Sequence, residues 1–279
     1  MRTLTPSSRL DSLKAARPLK RPKPLVMGIV NATPDSFYAS SRGGLELGLR
    51  LLDEGADWLD VGGQSTRPGS EPVTLDEELA RVMPVIEALS AKGAVVSIDT
   101  DKAEVARRAR EAGATILNDV TALRGDPGMM AEALKYEKVI LMHMRGTPKT
   151  MQDDPAYGDV VQEVKNFLRE RVSEFVRSGG SEAAVYADPG IGFGKTLEQN
   201  LSLIKHAGEF AEVAPVVIGV SRKSFFSKIT PDRGPEDRLE GSLAVAVLAA
   251  AAGAAAVRCH DVAATRRALA LAAAVQEAF

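Results

Sequence analysis

The sequence predicts a single (β/α)8 barrel built from parallel strands. Short apolar runs recur from Leu25 onward, and each one ends in polar residues or glycine. Helix-like segments separate them, and no second composition regime interrupts the series. The runs also lack polar alternation, as expected of strands buried on both faces of a parallel sheet. Eight such strand–helix units favour a closed barrel, with a doubly wound open sheet as the alternative.

Residues 1–24 precede the first run. They are rich in Arg and Lys and carry Pro18, Pro22 and Pro24, which argue against a helix at the junction. The reading is a solvated N-terminal arm (1–24) on a barrel domain (25–279). Leu25 to Asn31 is the first strand, and it leads into Thr33-Pro-Asp35-Ser-Phe, a turn-rich loop. Leu45 to Gly55 is helix-like. Trp58 to Gly63 is the second strand, feeding Gln64-Ser-Thr66-Arg67-Pro68-Gly69. Thr74-Leu-Asp-Glu77 is a capping box, and Leu75, Leu79, Val82, Met83, Ile86 and Leu89 keep helical spacing behind it. Val95 to Asp99 is the third strand, with a helix from Lys102 to Gly113. Thr115 to Asp119 is the fourth, with a short helix from Met129 to Tyr136. Val139 to Met144 is the fifth, with a long polar loop and a helix from Asp159 to Arg177. Val185 to Asp188 is the sixth, Val216 to Ser221 the seventh and Ala255 to Asp261 the eighth. Alanine-rich Glu236–Ala252 and Val262–Phe279 complete the helices.

Composition sets limits. A net charge of −2 gives no reason to expect a nucleic acid or an anionic membrane as partner. The lone Cys259 cannot form an intrachain disulfide and fits a reducing compartment, so a cytoplasmic location is expected. No leader-like apolar segment stands near residue 1. The longest apolar run, Leu243 to Val257, is too short to span a bilayer and reads as a packed helix.

In a barrel of this kind the C-terminal strand ends converge on one face, which carries the active site. Those ends bring Asn31, Asp99, Asn118, His143, Asp188, Ser221-Arg-Lys223 and Arg258-Cys-His260 together. Each has an ordinary alternative: Asp99 and Asp188 could cap turns, Asn118 could bond its own loop, His143 could be a wall histidine, and Lys223 and Arg258 could be surface cations. Convergence from seven of the eight strands carries the argument. Gly190-Ile-Gly-Phe-Gly-Lys-Thr196 is not a P-loop, because the required first glycine falls at Pro189. It is not a dinucleotide fingerprint either, because Lys195 replaces the third glycine. The acceptors Asp99, Asn118 and Asp188 suit a heterocycle rich in N–H groups. Asn31, Arg258 and His260 suit an anion such as pyrophosphate. Ser221 to Ser224 is expected to open a helix whose N-terminus favours a second anion.

From Met27 to Asp261 the chain closely resembles the dihydropteroate synthases of folate biosynthesis. The matching stretches include Met27-Gly-Ile-Val-Asn-Ala-Thr-Pro-Asp-Ser-Phe37, Asp60-Val-Gly-Gly-Gln-Ser-Thr-Arg-Pro-Gly69, Ser97-Ile-Asp-Thr100 and Asn118-Asp-Val. Asp188-Pro-Gly-Ile-Gly-Phe-Gly-Lys195, Ser221-Arg-Lys-Ser-Phe225 and Arg258-Cys-His-Asp261 continue the series in order. The resemblance implies condensation of 6-hydroxymethyl-7,8-dihydropterin pyrophosphate with p-aminobenzoate, with Mg²⁺ as cofactor, and a sulfonamide target. It implies pterin binding by Asp99, Asn118, Met142, Asp188, Phe193, Lys223 and Arg258. It implies pyrophosphate binding by Asn31, Arg258 and His260, with Asn31 toward the metal. Thr66, Pro68, Phe193, Lys223 and Ser224 would meet p-aminobenzoate, Asp35 and Arg67 would sit on closing loops, and Asp35, Arg67, Asp99 and Lys223 would be catalytic. A homodimer through the C-terminal helices is also implied.

Two departures stand out. The family usually has glutamate at Gln64, and an aspartate soon after the Ser-Phe pair; here Tyr38-Ala-Ser-Ser-Arg42 intervenes before Gly43-Gly44. The rival readings are a pterin-dependent methyltransferase on the same barrel and a non-catalytic pterin-binding paralogue. The first need not carry Ser-Thr-Arg-Pro or Ser-Arg-Lys-Ser, and the second should have lost Asn31, Arg258 or His260.

Overall fold

A computed structural model of the chain describes residues 23–32, 44–65, 71, 73–146, 151, 155–231 and 234–278. The eight strands are β1 Leu25–Asn31, β2 Trp58–Gly62, β3 Val96–Asp99, β4 Ile116–Asp119, β5 Lys138–Met142, β6 Val185–Asp188, β7 Val217–Gly219 and β8 Ala256–Cys259. All neighbouring strands pair in parallel, in the order β6-β5-β4-β3-β2-β1-β8-β7. The two ends of that order meet. Ala187 of β6 bridges Val216 beside β7, and its N–H donates to the Pro215 carbonyl at 2.9 Å. The sheet therefore closes into the expected barrel.

Eight α-helices follow among the described residues: α1 Gly44–Asp53, α2 Leu75–Ala91, α3 Ala103–Glu111, α4 Met129–Ala133, α5 Val160–Arg177, α6 Leu197–Lys205, α7 Leu239–Ala252 and α8 Val262–Glu277. The Thr74–Glu77 capping box forms at the start of α2, as its spacing predicts. A second box, Thr196 with Gln199, starts α6.

Strand residues alternate between two cores, because successive side chains point to opposite faces. Val26, Leu59, Val61, Ile98, Leu117, Leu141, Ile218 and Val257 face the helices and pack with Leu51, Ile86, Leu89, Leu168 and Phe210. Met27, Trp58, Ile116, Ile140, Val217 and Ala256 point into the barrel and plug it. Trp58 meets Tyr186 edge-on in this plug, ring centres 5.2 Å apart. Burying these apolar faces is the main stabilising term, about 25 cal/mol per Å² removed from water.

Some elements differ from expectation. The seventh strand ends at Gly219, because Arg222 then takes a left-handed conformation (φ 55) and its N–H donates to Ser242 Oγ at 2.8 Å. Ser224–Lys228 is a single 3-10 turn and not an α-helix. Pro235–Arg238 is another such turn, so the alanine-rich helix begins at Leu239.

Candidate active site

One step up from the apolar plug, the inward positions of β2, β4, β6 and β8 become polar. Trp58 is followed two residues on by Asp60, Ile116 by Asn118, Tyr186 by Asp188 and Ala256 by Arg258. The same parity gives Asn31 on β1, Asp99 on β3 and Met142 on β5. A two-residue period thus stacks a polar layer directly on an apolar floor.

Arg258 organises this layer. Its Nε lies 2.5 Å from Asp60 Oδ2 and its Nη2 lies 2.7 Å from Asp99 Oδ2. Asn118 donates from Nδ2 to Asp60 Oδ2 at 3.1 Å. Asp60 is fully buried, and its Oδ1 has no hydrogen-bond partner among the described residues. Across the barrel, Asp188 Oδ1 accepts the Gly190 N–H at 2.7 Å. That loop needs glycine: Gly190 has φ 69, and a Cβ there would sit 1.9 Å from the His143 carbonyl oxygen.

The electrostatics follow from burial. Burial pushes the Asp99 pKa up to about 8; Arg258 opposes the rise, and Asp60 adds to it. Burial also raises Asp188, against the Gly190 N–H and the charges of Lys223 and Arg258. Burial works against the charge on Arg258, but Asp60 and Asp99 outweigh it and hold its pKa above the ordinary value.

At the mouth, Lys223 Nζ lies 4.4 Å from the centre of the Phe193 ring. Phe193 packs against the cluster of Val120, Met142, Met144 and Met151. His260 bonds Ser221 Oγ twice, through its N–H at 3.1 Å and Nδ1 at 2.9 Å, tying the loops after β7 and β8 together. Arg222 and Asp261 make a two-point ion pair between the same loops, at 2.7 and 2.9 Å. Ser224 is exposed at the start of its 3-10 turn. Asp35, Thr66, Arg67 and Pro68 lie outside the described residues.

His143 does not join the other strand ends. It lies one residue past Met142, so its parity is outward, and its ring meets Phe167 of α5 edge-on at 4.9 Å. Lys195 Nζ reaches His143 Nδ1 at 3.0 Å, the Gly190 carbonyl at 2.9 Å and the Phe193 carbonyl at 2.8 Å. Burial pushes His143 down to about 2, with Lys195 adding to the shift, so the imidazole is neutral and accepts from the Lys195 amine, whose own pKa burial lowers to about 7. Lys195 therefore braces the glycine-rich loop from within. Beneath the loop after β2, Lys102 Nζ meets buried Glu78 at 2.5 Å and Gln64 Oε1 at 2.7 Å, while Thr100 donates to Glu78 at 2.7 Å.

Sequence reasoning missed Asp60 and Lys195. Asp60 was findable as the one charged residue inside the apolar run Trp58-Leu-Asp-Val-Gly. Nothing local marks Lys195, because its partners are carbonyls brought close only by the loop's fold.

Residues 27–260 match the model of the pterin binding enzyme family. The chain is 43% identical over 249 residues to the dihydropteroate synthase of Escherichia coli, spanning 86% of this chain and 87% of that one. It is 42% identical to the enzyme of the same name from Synechocystis, over 85% of each chain. Among solved structures, Yersinia pestis dihydropteroate synthase in a sulfonamide drug complex superposes with a TM-score of 0.88 at 39% identity, covering 92% of this chain and 95% of that one. The Burkholderia cenocepacia enzyme complexed with 7,8-dihydropteroate gives 0.84 at 42% identity, covering 91% and 92%.

Proposed function

The chain belongs to the dihydropteroate synthase family, and from that premise we propose how its residues divide the reaction between them. The enzyme condenses 6-hydroxymethyl-7,8-dihydropterin pyrophosphate with p-aminobenzoate, giving 7,8-dihydropteroate and pyrophosphate. One observation carries the residue assignment: a buried layer of acceptors, held around one arginine, stands on an apolar floor at the barrel mouth.

In this reading the pterin ring lies in that layer. Asp99, Asn118 and Asp188 accept its N–H groups, and Met142 and Phe193 cover its faces. Lys223 and Arg258 border it. Arg258 Nη1, which neither carboxylate pair uses, would donate to the pyrophosphate together with His260 and Asn31. Reaction breaks the bond between the methylene carbon and the pyrophosphate oxygen and forms the bond from the p-aminobenzoate nitrogen, which loses a proton. Positive charge grows on the carbon and negative charge on the departing oxygen. The carboxylates of Asp99 and Asp188 favour the first, and Arg258 and His260 favour the second.

Thr66, Pro68, Phe193, Lys223 and Ser224 would bind p-aminobenzoate, and the same subsite would admit sulfonamides. Asp35 and Arg67 would close over the mouth and exclude water from the cationic carbon.

Among the described residues no group of three His, Cys, Asp or Glu side chains is arranged to hold a metal alone. Asn31 offers one hard oxygen at the inner end of β1. That donor set fits Mg²⁺ held mainly by substrate phosphate oxygens, since such sites need only one or two protein ligands. Bound there, Mg²⁺ would neutralise charge on the leaving group.

We further read the chain as a cytoplasmic homodimer. Leu248 of α7 and Leu271 and Val275 of α8 are large apolar side chains exposed on helices that adjoin one another, a surface suited to a second copy.

The direct test is product formation. Purified protein with both substrates should yield 7,8-dihydropteroate, lose the activity on chelation and regain it with Mg²⁺. Absence of product under these conditions would overturn the catalytic reading, and activity indifferent to chelation would remove the metal.

A further inference from the structure

Asp60 has no place in the division of labour above, yet it is the hub of the polar layer. Its Oδ2 receives Arg258 Nε at 2.5 Å and Asn118 Nδ2 at 3.1 Å, and its Oδ1 is buried without a partner among the described residues. Arg258 can only donate, so Oδ2 is an acceptor there, and the Asn118 atom beside it is fixed as the nitrogen. The amide oxygen is then the end left to a ligand.

We propose that Asp60 is a positioning residue of the pterin pocket: by holding Asn118 Nδ2 and Arg258 Nε on one oxygen, it turns the Asn118 amide oxygen toward the ligand and so favours rings that offer N–H at that point. This rests on the reading that the polar layer is the pterin site. The lone oxygen Oδ1 reinforces it, because a buried polar atom left unpaired is costly and persists where the arrangement of its neighbours matters.

A double-mutant cycle tests this. Asn118→Asp sets carboxylate against carboxylate. Asp60→Ala removes the shared acceptor oxygen, and with it the constraint on the Asn118 amide. The double variant relieves the clash between carboxylates, with an acceptor still available to the ligand. Pterin pyrophosphate affinity is read by calorimetry, with melting temperature measured alongside.

Each single variant should weaken binding about tenfold or more, and the double should bind about tenfold more tightly than the product of the two effects requires. Effects that simply multiply would overturn the positioning role. Unchanged affinity in Asn118→Asp would overturn the pterin-pocket reading itself, a distinguishable failure.

Asp60→Ala alone supplies a second readout that a purely structural role would not move. The wild-type preference for an N–H ring over an isosteric ring with a bare nitrogen should shrink about tenfold, since the freed amide can now turn. An unchanged preference would contradict the proposal even if the double variant does not fold.

Discussion

Asp99 sits where two demands conflict. It must accept hydrogen bonds as a carboxylate, yet burial raises its pKa to about 8, with Asp60 reinforcing the rise against Arg258. Glu78 and Asp119 also push it upward from the surrounding elements. In the empty pocket near pH 7 the carboxyl then holds a proton, which a ligand bringing N–H groups must displace. Binding of 6-hydroxymethyl-7,8-dihydropterin, which lacks the titrating pyrophosphate, should therefore release a proton at pH 7 and release progressively less above pH 8. Its affinity should rise with pH up to that point. Calorimetry in buffers of different ionisation heat measures this directly, and a binding heat independent of buffer at pH 7 would contradict it. Asp99, Asn118 and Asp188 were legible in the sequence because each closes an apolar run. Asp60 lies within its run, so the sequence marks it only as a charge among apolar residues, and the inward parity of β2 is what brings it to the same layer.

At the scale of elements, the segment from Gly190 to Thr196 shows how similar residues serve different ends. A lysine after glycines suggests phosphate, but Lys195 turns inward to its own loop's carbonyls and to His143. Sequence placed His143 among the converging side chains; the outward parity that removes it depends on where β5 ends, a boundary that propensity defines poorly. The loop after β7 was misread for a related reason. An α-helix there would need an uninterrupted first turn, and left-handed Arg222, tied to Ser242 and Asp261, does not supply one. The Lys195–His143 brace has a pH signature. The folded imidazole titrates near 2, against an ordinary value of 6.5, so below pH 6.5 the unfolded chain takes up a proton that the native protein refuses. Stability from this group is complete above 6.5 and is lost as pH falls, by about 2 kcal/mol at pH 5. Urea unfolding of His143→Gln should show a smaller loss between pH 7 and pH 5 than wild type, by about that amount. Parallel losses in the two proteins would contradict the brace.

Across the whole molecule, function follows from closure. Eight strands with period-two side chains must fill their own barrel, and this one fills the lower layer with Met27, Trp58, Ile116, Ile140, Val217 and Ala256. The next inward layer cannot drain to solvent from below, so charges placed there act at low dielectric. The strand count made the barrel legible, whereas the network within it depends on contacts between residues as distant as Asp60 and Arg258, which no local pattern encodes. The central claim is that this inward layer holds the pterin, and Asp188→Asn tests it most directly. Gly190 N–H already fixes one oxygen as an acceptor, so the substituted side chain would keep that bond and turn its NH₂ toward the ligand's N–H groups. Calorimetric affinity for the pterin pyrophosphate should fall by about 10- to 150-fold, corresponding to about 1.5–3 kcal/mol for a charge-assisted bond, with little change in melting temperature. Unchanged affinity in a folded Asp188→Asn protein would contradict the claim.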